Sequence, residues 1–142
     1  MAEFSANALQ TVNPGESVVF TDNPVPCPSG LVRHRDETGS FLLSGRAGCP
    51  CKKGANYLVD FGANIAVPTG ETVGEISLAI TIDGTTIPGS SMQVTPAAVE
   101  QFFNVSRAVN AQIWNGCCET VSVRNTSEIP ILVQNANIIF SR

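Results

Sequence analysis

The chain is short of charge. Charged residues make up 14% of it, against roughly 25% in an ordinary globular domain. Eight Lys and Arg against twelve Asp and Glu leave a formal charge of −4. So few cations exclude a nucleic-acid grip, which needs a basic patch to neutralise phosphates. The one basic run, Arg33-His34-Arg35, is followed at once by Asp36 and Glu37. There is a single histidine, so any Ser–His–Asp or Cys–His pair has to use His34. It stands outside any G-x-S-x-G context and reads as structural. No P-loop, dinucleotide-binding glycine pattern or EF-hand loop occurs. No catalytic residue and no cofactor is expected.

Long hydrophobic runs are also missing. None approaches the roughly 20 residues that span a bilayer, so no membrane partner is expected. The opening MAEFSANALQ has neither the basic start nor the apolar centre of a signal peptide. The expectation is a protein made in the cytoplasm. The sequons Asn104-Val105-Ser106 and Asn125-Thr126-Ser127 then read as chance matches.

Helical periodicity is nearly absent. TPAAVEQFF, residues 95–103, is the one candidate, with Thr95 as cap and Pro96 at the first position. It predicts one turn at most. What is present is alternation. In YLVDFGANIAV, Tyr57, Val59, Phe61, Ala63, Ile65 and Val67 share one face. In ISLAITI, Ile76, Leu78, Ile80 and Ile82 do the same. Period two over such lengths marks strands with one face in a core. Asp83-Gly84 is a hairpin signal, because both turn positions must tolerate positive φ. Asn115-Gly116 predicts a second tight turn. A length of 142 residues fits one domain, residues 1–142, with 43% hydrophobic content to build its core. Roughly ten short strands with regular turns argue for a sandwich or jelly roll.

Several segments resemble one family. EFSANAL resembles the opening strand of complement C1q globular domains. TGSFLLSG with ANYLVDFGANI resembles that family's next pair of strands, and ISLAITIDGTTI its hairpin. ETVSVRN and NANIIFSR resemble its final two strands. The wider group is the TNF/C1q-like jelly roll, whose members are compact homotrimers. FGANIAVPTGETVGEISLAITIDG and VTPAAVEQFFNV are most similar to the short phage and Firmicutes versions. Those serve as head fibres, capsid decoration proteins and spore-surface tips.

The resemblance implies an all-β TNF/C1q-like jelly-roll sandwich of about ten strands, trimeric and without enzymatic activity. It further implies a structural virion protein: a capsid-decoration or head-fibre knob that seats on a symmetric site and is available for adhesion. Two alternatives stay open, a bacterial spore-coat or surface knob and a glycan- or receptor-binding module. The partners implied are further copies of the chain, capsid or other virion proteins, and a host surface glycan or receptor. The place implied is the virion, or alternatively a spore or cell surface.

A trimer also has a rationale in the residues. FFNVSRAVNAQIW carries apolar side chains at both parities, Phe102 and Phe103, then Ala108 and Val109. Both faces of that strand call for burial, and three-fold closure hides them without leaving a self-propagating surface. The interface candidates are Tyr57, Phe61, Phe102, Phe103, Val109, Trp114 and Phe140. Trp114 reads as a packing anchor rather than a sugar platform. Asp60 points away from Tyr57 and Phe61 and reads as a surface or subunit-contact residue, with a buried pair to Arg107 or Arg124 the lesser alternative.

The five cysteines fall in three turns. Cys49 and Cys51 lie between strands expected at 40–45 and 55–67. Cys117 and Cys118 lie between strands expected at 100–114 and 119–125, and Cys27 precedes LVRHR. In an antiparallel jelly roll these connections are an even number of passages apart, so all five thiols are expected at one pole, with both chain ends nearby. Three readings remain: disulfides within or between subunits, a thiolate metal site drawn from Cys27, Cys49, Cys51, Cys117 and Cys118, and inert loop cysteines.

Overall fold

A computed structural model of the chain describes residues 1–46, 53–116 and 118–142. The described residues form twelve strands. They are β1 (Ala2–Ala6), β2 (Gln10–Val12), β3 (Asp22–Val25), β4 (Val32–His34), β5 (Phe41–Leu43) and β6 (Gly54–Ala66). Then follow β7 (Ile76–Ile82), β8 (Thr85–Thr86), β9 (Met92–Val94), β10 (Phe103–Trp114), β11 (Glu119–Asn125) and β12 (Ile131–Ser141). No described residue is helical.

Two antiparallel sheets of six strands face each other. The first runs β10-β6-β12-β1-β3, with β2 also on β12. The second runs β4-β5-β11-β7-β8, with β9 also on β7. The first and last strands, β1 and β12, are antiparallel neighbours in the first sheet, so the chain ends sit side by side: Ala2 is opposite Phe140. This is a jelly-roll sandwich, and among the described residues its edges are the short β2, β3, β4, β8 and β9 and the long β10.

Alternation decides which side chains fill the sandwich. Along β6 the buried set is Ala55, Tyr57, Val59, Phe61, Ala63 and Ile65. Phe4 and Phe140 of the same sheet meet Phe41 of the facing sheet, with ring centroids 4.8 to 6.2 Å apart in tilted and edge contacts. Each such side chain contributes about 1.5–3 kcal/mol through burial. Three of the expected interface residues are used here. Tyr57 is 1% exposed, Phe61 0% and Phe140 1%. They fill the protomer's own core, so they cannot serve as an intersubunit surface.

Other expectations are corrected in detail. Beyond the Asp83-Gly84 hairpin, residues 85–94 carry two short strands, β8 and β9, separated by the Pro88-Gly89 turn, where φ of Gly89 is +80°. Residues 95–102 form no helical turn. Instead Gln101 Oε1 accepts from Ala97 N at 3.0 Å, Glu100 N donates to Val67 O at 2.8 Å, and Glu100 takes φ +56°. β7 is buried on both faces, not one. Its second face is Ser77, Ala79 and Thr81, and Thr81 Oγ1 meets Ser122 Oγ at 2.8 Å. The Asp83-Gly84 turn matches expectation, with φ +49° and +86°, the pair of positive values a tight hairpin needs. Asp83 Oδ1 also accepts from Thr120 N at 2.9 Å, which fastens the hairpin to β11.

Candidate functional site

Strand direction sorts the loops into two poles. β6 starts, and β10 and β12 end, at one of them, where the chain termini also lie. Segments 26–31, 44–46 and 114–116 meet there, with Cys118 beside them. Ser44 N donates to Leu31 O at 2.9 Å, and Asn115 N to Lys53 O at 2.7 Å. The buried Tyr57 donates its hydroxyl to Ser44 O at 2.5 Å. Gly45 leaves no room for a side chain, since a Cβ there would fall 1.8 Å from Trp114 O. Only glycine lets these two backbones approach so closely.

Met1, Cys27, Tyr57, Phe140 and Arg142 line one small cavity at this pole. The Arg142 guanidinium stands 5.6 Å from the centroid of the Tyr57 ring and donates to Arg46 O. Cys27 is a free thiol beside both chain ends. Its burial pushes the thiol pKa up. The Ser29 hydroxyl, 3.3 Å from Sγ, and the main chain at Val32, Ser29 and Leu31 outweigh that and bring it to about 7. Burial raises the Tyr57 hydroxyl pKa, opposed by the nearby Arg142 charge.

Cys118 lies at the same pole, lining a cavity with Ser29, Ser44 and Asn115, and it is not without a partner. Cys49, Cys51 and Cys117 lie outside the described residues, and so does the expected pairing of the five thiols. Among the described residues no group of three or more His, Cys, Asp or Glu is gathered to hold a metal.

The other expected residues are placed as follows. His34 is half-buried, its ring stacked 4.7 Å from Phe41 and 5.1 Å from Phe4, with Nε2 2.8 Å from Thr38 O. It is a packing residue. Ser40 and Thr120 line the cavity beside it, and among the described residues no carboxylate does. Trp114 is 61% exposed, so it does not anchor the protomer's own core. Phe102 is 39% exposed just before β10. Phe103 and Val109 are half-buried and share the core-facing parity of Ala111 and Ile113. Asp60 is exposed between its cross-strand partners Ala108 and Ile139. Arg107 does not reach it, but donates to Ser91 O at 3.1 Å.

The outer face of the first sheet is a second feature. Register puts Asn104, Ser106, Ala108, Asn110 and Gln112 of β10 beside Asn64, Gly62, Asp60, Leu58 and Asn56 of β6. Asn137, Ile139 and Ser141 of β12 continue the same rows. This surface is small, uncharged except at Asp60, and exposes Leu58 by 45%. At its margin β10 presents twelve residues as an edge strand.

Sequence reasoning reached this face only at Trp114, which shares its parity, because it singled out large apolar residues and the face is otherwise mostly Asn, Ser, Ala and Gly, with Leu58 and Ile139 among them. The available signal was the other parity of 54–66 and 103–114, which carries hardly any charge. Also missed was the gathering of Arg33 and Arg46 at the cysteine pole.

An all-β jelly-roll sandwich with one exposed, nearly uncharged sheet face is therefore the class of protein defined here. No family model and no curated protein sequence matches the chain. Solved structures do. The globular domain of zebrafish complement 1qA matches with a TM-score of 0.62 at 14% identity, over 97% of this chain and 94% of that one. Eiger TNF of S. frugiperda matches with a TM-score of 0.67 at 12% identity, over 99% and 90%. Murine APRIL matches with a TM-score of 0.53 at 8% identity, over 94% and 98%. The fold is that of the C1q and TNF jelly-roll proteins.

Proposed function

We propose that the chain is a non-enzymatic knob that works as a homotrimer, a capsid-decoration or head-fibre component of a virion. The observation that carries the trimer is the outer face of the first sheet. Every second pair of β6 and β10 faces outward, giving a surface of mostly small residues with Leu58 and Trp114 exposed and Asp60 its one charge. Charged side chains normally keep such a face wet, whereas their depletion marks the centre of an interface. The free edge of β10 gives a second reason, since a long unpaired edge is a liability unless covered. Three-fold closure covers both in each copy.

The virion setting rests on the similarity of residues 61–84 and 94–105 to short phage jelly rolls. The low charge of the whole chain supports a surface covered by partners. Attachment uses one pole and leaves the other for adhesion to a host glycan or receptor.

Native mass spectrometry with and without reductant tests the assembly. The expected species is three times the 14.9 kDa chain mass. Leu58→Asp, which adds charge to the exposed face without touching the core, is expected to shift the population to monomer. A wild-type monomer at micromolar concentration refutes the trimer. Immunogold labelling of intact particles tests the setting, and label confined to spores or cell surfaces refutes it.

A further inference from the structure

The few cations of this acidic chain are not spread evenly. The loops at the pole opposite the cysteines carry Glu16, Glu71, Glu75, Glu100 and Glu128, and residues 7–17, 67–75, 95–102 and 126–130 contain no Lys or Arg. A cavity of about 420 Å³ at that pole is lined by Glu75 and Glu128. Toward the other pole stand Arg33, Arg46, Lys53 and Arg142. A cleft lined by one sign of charge focuses the field and concentrates ligands of the other sign.

Two cavities there meet at one arginine. The first, about 340 Å³, is lined by Arg33 and Arg46 together with Ser29, Ser44 and Asn115. The second, about 410 Å³, is lined by Arg33, Arg35, Ser40 and Thr120. Among the described residues no carboxylate lines either one, although Asp36 and Glu37 follow directly in the chain. The local fold explains the arrangement. β4 is an edge strand of the second sheet, and alternation sends Arg33 and Arg35 to its outer face while His34 packs inward. Arg33 pairs across with Leu42, and Arg35 N donates to Ser40 O at 3.4 Å, so these residues form the floor of the second cavity. Arg33 Nε donates to Gly30 O at 3.3 Å, which holds its guanidinium between the two.

We propose that this strip, Arg46–Arg33–Arg35, binds an acidic saccharide, its sulfate or carboxylate oxyanions held by the guanidinium groups and its hydroxyls by the flanking Ser, Thr and Asn side chains. Guanidinium forks match planar and tetrahedral oxyanions in paired hydrogen bonds. Both cavities fall in the roughly 300–1,000 Å³ range of small-molecule sites. Among the described residues no aromatic lines the first cavity, His34 at the second is already stacked on Phe41, and three arginines are few for a nucleic acid. It lies on the second sheet, away from the face assigned to the trimer, so it stands or falls independently of the assembly.

The test is calorimetric titration of the full chain with a sulfated heparin tetrasaccharide, its desulfated counterpart and inorganic sulfate, at low and at physiological salt. Sulfated tetrasaccharide is expected to bind, and the desulfated one not to. Arg33→Ala and Arg46→Ala are each expected to weaken binding about tenfold or more, the scale of a charge-assisted contact. Arg107→Ala, on the edge of the other sheet, is expected to leave it unchanged. Arg33→Gln, which keeps the aliphatic stem and hydrogen-bonding capacity, guards against loss through misfolding and is expected to weaken binding similarly. No binding, equal weakening by Arg107→Ala, or binding untouched by the Arg33 and Arg46 variants overturns the proposal. Inorganic sulfate binding as tightly as the tetrasaccharide also overturns it, in favour of a simple anion site.

Discussion

Asn125 is 1% exposed, at the glutamate-rich pole. Its Nδ2 donates to Val12 O and Ile129 O, each at 2.9 Å. Its Oδ1 accepts from Ser127 N at 2.9 Å and from the Ser127 hydroxyl. One amide thus ties the end of β2, the end of β11 and the 126–130 turn together. Asn125→Ala removes four hydrogen bonds and takes the side-chain partner from the Val12 carbonyl and the Ser127 amide, while Ile129 O keeps the Ser127 hydroxyl at 3.2 Å. At about 0.5–1.5 kcal/mol each, with part of the loss recovered by water at the half-buried Ser127 and Ile129, the expected cost is about 3 kcal/mol. Asn125→Asp keeps the acceptor but turns a carboxylate toward two carbonyls, and it is expected to cost at least as much at neutral pH. Urea unfolding followed by circular dichroism measures both, at one fixed protomer concentration because association adds to apparent stability. Thr21→Ala is the control, since Thr21 is exposed, lies off the proposed trimer face, and its hydroxyl makes a long side-chain contact, 3.4 Å to Asp22 Oδ2. It is expected to change stability by less than about 0.5 kcal/mol. An Asn125→Ala loss no larger than that of the control refutes the reasoning. The same geometry bears on the second sequon: the Asn125 amide nitrogen is buried and fully engaged, so in a glycosylating host only Asn104 of the two is expected to be modified once the chain has folded.

Tyr57→Phe keeps the core ring but loses the hydroxyl bond to Ser44 O, and it is expected to lower stability by about 1 kcal/mol in the same unfolding experiment. Gly45→Ala pushes a methyl into the Trp114 carbonyl and is expected to cost more than Tyr57→Phe, with increased amide exchange at both strand ends; wild-type exchange would refute the close approach. Cys27 is expected to be alkylated by iodoacetamide with a pH midpoint near 7, since the thiolate is the reacting form. Peptide mapping isolates it from the other thiols. Ser29→Ala removes a hydrogen bond to the thiolate and is expected to move the midpoint upward, whereas a wild-type midpoint at the free-cysteine value of about 8.5 contradicts the described environment.

How much was legible follows from what each signal reports. The register of β6 was plain in its alternation, because a strand with one face in a core must repeat every two residues. The Asp83-Gly84 hairpin was legible because few residue pairs tolerate two positive φ values. The two-sided burial of β7 was not, since Ser77 and Thr81 look solvent-facing until a neighbouring strand supplies hydrogen-bond partners such as Ser122. The break between β8 and β9 was only hinted at by Pro88-Gly89. The interface candidates show the main difficulty. A large apolar residue signals burial but not by what, and Tyr57, Phe61 and Phe140 turned out to be buried by the protomer itself.

The sequence by itself determined that this chain folds into strands, where most of them lie, and which parity of the long ones is apolar. These depend on neighbours two residues apart and on turn chemistry, which are local. Only the tertiary structure decided which distant segments meet. It placed Arg33 beside Arg46, Asn125 against Val12 and Ile129, and Cys27 between the two chain ends. It also left the charge-poor side of β6 and β10 uncovered. Such pairings follow from the order in which strands are laid into two sheets, a property of the whole chain that no local window contains.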